Sequence, residues 1–230
     1  MILMTYNIMH GLDYIKLLQK ERIIDLDKII EIIKEYNPDI LALNEVYNDT
    51  KGVNQAELIA SKLGYNYYFG KSINLGNSLL YGNALLSKYK IESPKTIKIP
   101  DVLVHDENVY YESRIIIKAK INNYNVFISH FGLAKKEQEN AINTLRKEIK
   151  GLNNVIFMGD LNIDEEELPV IDDDLYNTSD ILDKKIKTFT SISPTKKIDY
   201  IFVSRNILVL EVNVVNKIAS DHLPLLVKIL

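Results

Sequence analysis

Apolar residues along this chain fall in short runs, and the spacing inside each run separates strand from helix. Residues 2–8 are an apolar run of strand length. Within 22–36, Leu26, Ile29, Ile30 and Ile33 stand at i, i+3, i+4 and i+7, which places them on one face of a helix. Asn37-Pro38 ends it, because the residue before a proline is pushed out of the α region. A second buried strand is predicted at 39–43. Ala56, Ile59, Ala60 and Leu63 repeat the helical spacing, with Gly64 as a C-terminal stop. Strands are then predicted at 65–70, 82–87, 90–99, 109–120 and 124–129. A third helix follows at 135–150, with Ile142, Leu145 and Ile149 inward and Gly151 beyond it. Strands return at 154–158, 187–192, 198–204, 207–215 and 223–229. Helices cluster early and most strands are joined by short turns, which predicts an α/β fold of two mixed sheets packed face to face with helices outside. No repeat, low-complexity tract or Pro/Gly/Ser linker interrupts the 230 residues, so a single domain over 1–230 is expected.

Composition narrows the chemistry. The chain has no cysteine, which excludes a disulfide scaffold, a zinc–thiolate site, an iron–sulfur cluster and a cysteine nucleophile. Its 28 Lys+Arg against 31 Asp+Glu give a net charge of −3. That is not the basic balance of a protein that grips phosphate backbones, so nucleic acid is possible as a partner but not favoured. No run approaches the roughly 18 apolar residues that a membrane span needs. The N-terminal segment has no basic region and no small-residue cleavage site, so a cytoplasmic monomer without stable membrane association is expected.

The informative residues close the apolar strands. Asn7 closes the first, Glu45 the second (Ile40-Leu41-Ala42-Leu43-Asn44), His130 the run Val126-Phe127-Ile128-Ser129, and Asp160 with Asn162 the run Val155-Ile156-Phe157-Met158-Gly159. Strand ends in α/β proteins converge on one edge of the sheet, where ligands bind. Asp199 lies inside the apolar strand Lys197 to Val203, where an unpaired charge is costly. Asp221-His222 precedes the last strand. If that strand is antiparallel to its neighbours, this pair reaches the same edge. Carboxylates with few nitrogen ligands suit a hard cation such as Mg²⁺ or Mn²⁺ better than zinc. Asp199 with His222 is a candidate pair in which the carboxylate orients the ring and stabilises its cationic form. Gly-x-Ser-x-Gly and the P-loop are both absent.

Six segments occur in order: Thr5-Tyr6-Asn7-Ile8; Pro38-Asp39-Ile40 leading to Leu43-Asn44-Glu45-Val46; Ser129-His130-Phe131; Gly159-Asp160-Leu161-Asn162; Ile198-Asp199-Tyr200-Ile201; and Ser220-Asp221-His222-Leu223-Pro224. Together, over residues 5 to 224, they resemble the signature set of the endonuclease/exonuclease/phosphatase superfamily. The resemblance implies a four-layer α/β/β/α sandwich and a metal-dependent hydrolase of phosphodiesters or phosphomonoesters using Mg²⁺ or Mn²⁺. A nuclease on DNA or RNA is the alternative, and a lipid head-group phosphodiesterase or a non-catalytic binding module are further readings. By position, the resemblance makes Glu45 the main metal ligand, with Asn7 supporting metal or phosphate and Asp221 touching the metal or fixing the site. It has Asp160 and Asn162 orient water and the scissile phosphate, and His130 donate to a phosphoryl oxygen. It makes His222, oriented by Asp199, a general base or a transition-state stabiliser. Arg114 resembles an arginine often found beside such a site, where it would bind substrate.

The chain departs from the pattern in places. Asn44 stands where the family usually has glutamine, one methylene longer. The stretch Asn7-Ile8-Met9-His10-Gly11 resembles small bacterial members that often carry two histidines there, and this chain has only His10, expected in a loop near the site. It has no tryptophan, which weakens the membrane-docking reading of the sphingomyelinases, and no long basic insertion of the kind DNA-gripping members use. Tyr65, Tyr67 and Tyr68 are expected in packing roles; Tyr110 and Tyr111, just before the Arg114 strand, are placed in core packing ahead of the alternative that they line a pocket. The acidic stretches 164–167 and 172–174 are expected in solvated loops, as is His105. The Lys run at 184–187 is expected in a solvated turn; were basic residues to contact nucleic acid, that run, with Lys196 and Lys197, is the first place to test.

Overall fold

The computed structural model describes residues 1–103 and 108–230. His105 lies outside them. The elements are β1 (Ile2–Asn7), α1 (Tyr14–Leu18), α2 (Leu26–Tyr36), β2 (Ile40–Asp49), α3 (Gln55–Leu63), β3 (Asn66–Asn74), β4 (Leu79–Ser87), β5 (Glu92–Lys98), β6 (Ile115–Ile121) and β7 (Tyr124–His130). They continue with α4 (Lys135–Ile149), β8 (Val155–Asp160), β9 (Leu175–Asn177), α5 (Thr178–Ile181), β10 (Asp199–Ser204), β11 (Val209–Val214) and β12 (Leu225–Ile229).

The strands form two six-stranded sheets, ordered β11-β12-β1-β2-β4-β3 and β5-β6-β7-β8-β10-β9. In each sheet only the central pair is parallel, β1 with β2 and β7 with β8. A parallel pair needs a crossover, and α2 and α4 supply one each. Both faces of these strands are covered, and the alternation shows how. Leu3, Ile40, Ala42, Ile128, Ile156 and Met158 point between the sheets. Their neighbours Met4, Leu41 and Leu43 pack on Ile29, Ile30 and Ile33 of α2. Phe127 and Phe157 pack on Ala141, Ile142 and Leu145 of α4. The result is the expected α/β/β/α layering. Among the described residues no helix is long and apolar enough to cross a membrane.

Local chemistry sets the element ends. The Asp25 side chain accepts from Lys28 N at 3.3 Å and opens α2 at Leu26, four residues inside its predicted start. Asn37 is left-handed (φ 47°) ahead of Pro38 and closes the helix. Two strand expectations fail. The predicted strand at 109–120 starts only at Ile115, because 110–114 leave the sheet to line a pocket. The predicted strand at 187–192 is a loop in which Phe189 makes isolated bridges to Lys196 and His222.

Candidate active site

Strand register assembles the site. The ladders pair Asn7 with Asn44 across β1 and β2, His130 with Asp160 across β7 and β8, and Asp199 with Asp160 across β10 and β8. β12 is antiparallel to β1, with Thr5 opposite Leu225, so His222 arrives at the same edge from the opposite direction. The sequence-predicted residues therefore share one rim, and Glu45, Arg114, His130, Asp160, Asn162, Asp221 and His222 line one cavity of about 550 Å³.

Glu45 does not end its strand. β2 runs on to Asp49 through a bulge, where three steps from Leu43 to Val46 oppose two from Ala84 to Gly82. Glu45 sits there at φ 57°, a left-handed conformation that a non-glycine residue adopts only when its surroundings enforce it. The bulge turns Glu45 toward the rim and sends Asn44 between the sheets. The Asn44 amide donates to Asn83 Oδ1 and to the Ser129 carbonyl, each at 3.0 Å, and its oxygen accepts from Asp160 N at 3.0 Å. Asn44 thus joins the two sheets directly behind the site. Asn83 of β4 is part of the same bridge. An uncharged polar residue in the apolar run of β4 was the visible signal for this, and sequence reasoning missed it.

The Asn7 amide nitrogen donates to Glu45 Oε1 and to Asp160 Oδ2, both at 3.0 Å, and its oxygen accepts from Met9 N at 3.1 Å. In this arrangement Asn7 holds two carboxylates at a set spacing. Burial pushes the Glu45 carboxyl up; the Asn7 hydrogen bond opposes the rise, and the charge of Asp221 adds to it.

Behind these stands a proton-holding chain. His222 Nδ1 lies 2.8 Å from Asp199 Oδ2, and His222 Nε2 lies 3.6 Å from Asp160 Oδ2. All three groups are buried. Burial alone would lower His222, but the charges of Asp199 and Asp160 outweigh it and push the ring up to about 10. Burial pushes Asp160 up to about 7; the His222 charge opposes this and Asp199 adds to it. Asp160, Asp199 and His222 each offer a ligand atom, all within 4.8 Å of one another, a group that could hold a metal ion. Within that group the His222 and Asp199 atoms already bond to each other. The oxygen-rich pair Glu45 and Asp221, whose like charges face one cavity, fits a hard divalent cation better.

His130 closes the opposite side. Its Nδ1 lies 3.1 Å from Arg114 Nη1. A guanidinium does not give up its proton, so Nδ1 accepts and the neutral ring carries its hydrogen on Nε2. Burial, then the charges of Arg114 and His222, hold His130 well below the usual histidine range, which keeps it neutral. Nε2 lies 3.5 Å from Asp160 Oδ2 and 3.0 Å from Asn162 Nδ2, while that amide nitrogen also donates to the Phe131 carbonyl at 3.0 Å. Since two donors do not bond to each other, the Nε2 hydrogen is directed at Asp160 and the cavity. Arg114 is itself braced by Glu112 at 3.4 Å.

Several expectations need correction. Tyr110 is 63% exposed and lines the cavity, the alternative to the core packing preferred from the sequence. Lys197 is fully buried. It pairs with Glu165 at 2.9 Å, bonds to Ser179 and lies 4.8 Å from the Tyr200 ring centroid, so it is not available to nucleic acid. The acidic stretch 164–167 is not simply solvated, since Asp164 and Glu167 line the cavity and Glu165 holds Lys197. Lys196 does line the cavity.

Fold and rim together define the class. The sequence matches the Endonuclease/Exonuclease/phosphatase family over residues 4–222, and the chain belongs to that family, whose members are hydrolases acting on phosphate esters. None of the curated proteins searched matches it. Three solved structures show the same fold. One is an endonuclease/exonuclease/phosphatase protein from Beutenbergia cavernae DSM 12333 (TM-score 0.81, 19% identity, 99% of this chain and 70% of that one). Another is a mannosyl-6-phosphatase from Bacteroides thetaiotaomicron VPI-5482 (TM-score 0.74, 18% identity, 100% and 99%). A third is truncated TDP2 from Caenorhabditis elegans (TM-score 0.68, 22% identity, 98% and 96%).

Proposed function

We propose that this protein is a divalent-metal-dependent phosphoesterase that hydrolyses a small phosphomonoester or phosphodiester by in-line attack of water. The observation that carries this reading is the buried series Asp199–His222–Asp160, set beside a Glu45 carboxylate that Asn7 holds in place. Glu45 and Asp221 would hold Mg²⁺ or Mn²⁺, and the bound ion supplies Lewis-acid polarisation of a phosphoryl oxygen and of the leaving oxygen. Asp160, pushed up to about 7, is the group suited to take the proton of the attacking water. His222, held cationic by two carboxylates, stabilises the negative charge that builds at phosphorus. His130 donates through Nε2–H and Asn162 through its amide to phosphoryl oxygens.

A small ester is favoured over nucleic acid because Glu112, Asp164 and Glu167 line the cavity together with Asp221, against Lys196 and Arg114. A nucleic-acid groove would gather cations. The mannosyl-6-phosphatase in the same fold supports the reading that such a frame can serve a compact phosphate ester.

Hydrolysis of bis-(p-nitrophenyl) phosphate and p-nitrophenyl phosphate should require Mg²⁺ or Mn²⁺ and stop when EDTA removes it. Activity that survives complete chelation contradicts the reading. A panel of sugar phosphates, inositol phosphates, sphingomyelin, oligonucleotides, RNA and plasmid DNA would then rank substrates, and preferred cleavage of DNA or RNA would overturn the small-ester assignment.

A further inference from the structure

We infer that His10 is a nitrogen ligand to the divalent cation held at Glu45, so that the site prefers Mn²⁺, or another imidazole-binding transition metal, over Mg²⁺. This rests on the metal reading given above and adds a residue to it.

Four observations converge. First, His10 Nδ1 stands 3.9 Å from Glu45 Oε2. Donor atoms about 2.1 Å from one ion lie between ~3 Å apart on adjacent vertices and ~4.2 Å apart on opposite ones, so a single cation can bridge this gap. Second, both ring nitrogens of His10 are shielded from solvent and make no hydrogen bond. Buried imidazole nitrogens without partners are unfavourable unless something ligates them.

Third, the backbone around the pair is strained in a directed way. Met9 (φ 44°), His10 (φ 43°) and Glu45 (φ 57°) are all left-handed non-glycine residues. Gly11 follows at φ 80°, where a Cβ would stand 2.6 Å from Leu26 Cδ2. Such strain persists only where the surroundings over-determine it, and it gathers at ligand clamps. His10 and Glu45, two of these three residues, face each other across the 3.9 Å gap.

Fourth, the ring is locked. It stacks on Tyr47 with centroids 4.3 Å apart and planes 15° apart. The buried Gln55 side chain fastens both backbones, donating to the His10 carbonyl at 2.7 Å and accepting from Tyr47 N at 2.9 Å. A loop histidine with no task would not need this clamp. Imidazole is a ligand of the first-row transition metals, for which affinity at an N/O site rises from Mn²⁺ along the series, whereas magnesium takes oxygen.

Mn²⁺-loaded protein should be examined by electron spin-echo envelope modulation alongside Mn²⁺ and Mg²⁺ titrations. Wild type should show the modulation of a directly coordinated ¹⁴N. His10→Phe keeps a ring to stack on Tyr47 but has no nitrogen; it should lose that modulation and weaken Mn²⁺ binding ~10-fold or more, with a smaller change for Mg²⁺. Circular dichroism checks that the variant is folded. Glu45→Gln tests the underlying centre, because it should lose Mn²⁺ altogether. If Glu45→Gln binds Mn²⁺ like wild type, the metal centre itself is misplaced and this inference goes with it. If Glu45→Gln loses the ion but wild type shows no coordinated ¹⁴N, or the modulation survives in His10→Phe, the His10 assignment is overturned and the centre stands.

Discussion

His222 and Asp199 meet at 2.8 Å, Nδ1 to Oδ2, both buried at the rim where the two sheets come together. The contact leaves the other ring nitrogen, Nε2, facing Asp160. A carboxylate so placed fixes the ring's orientation and favours its protonated form. His222→Ala and Asp160→Ala should each lower kcat by ~100-fold or more, the scale of losing a proton acceptor or an oriented charge. Asp199→Asn, which keeps the shape and removes the charge, should lose a large part of the same activity. Steady-state kinetics on folded variants decide this, and near-wild-type rates in either alanine variant would remove its residue from the mechanism.

The same pair sets a pH dependence of stability in metal-free protein. The folded His222 holds its proton up to about 10, above the 6.5 of a free histidine. Its stabilisation is therefore complete below about pH 6.5 and is lost as pH rises through about 10. Asp160 acts in the same direction lower down. The folded chain keeps its proton to about 7 while an unfolded aspartate releases it near 3.8, so stability also falls between those values. Chemical denaturation across this range should show that decline. It should flatten above pH 6.5 in His222→Gln and below pH 7 in Asp160→Asn, and a wild-type protein that gains stability from pH 7 to 9.5 would contradict the assignment.

Arg114 should act through His130. Arg114→Met removes the donor at Nδ1, so the ring is no longer confined to the Nε2–H form. Nitrogen-15 imidazole shifts should report one tautomer in wild type and a mixture in the variant, together with a loss of ~10-fold or more in kcat. An unchanged His130 tautomer in Arg114→Met would show that something else holds the ring.

Asn44 is the test of how the sheets are coupled. Asn44→Ala strips the Asp160 N–H of its acceptor inside the protein. An unsatisfied buried donor costs about 1–3 kcal/mol, so guanidinium denaturation should show a loss of about 2 kcal/mol or more. Activity should fall with it, because Asp160 loses its backbone anchor. A variant as stable as wild type would mean that the two sheets are held in register without this bridge.

Much of the architecture was legible because strands buried on both faces read as continuous apolar runs, and the amphipathic stripes of 26–36, 55–63 and 135–149 read as helices. The polar residue after each run marked the rim in the same way. What escaped had little hydrophobic signature. α1 has no buried residue, so no stripe announced it. Residues 187–192 have the composition of a strand, but their neighbours fold them into a loop under His222.

The sequence by itself determined which residues could serve the chemistry, since side-chain type and position after an apolar run are local properties of the chain. Only the tertiary structure decided how they are arranged. Bulge geometry aimed Glu45 outward and Asn44 inward. Close packing made Lys197 an internal counter-ion and Tyr110 a cavity wall. Register set His222 between two carboxylates. Each of these depends on burial and on partners distant in sequence, and those exist only once the two sheets have closed on each other.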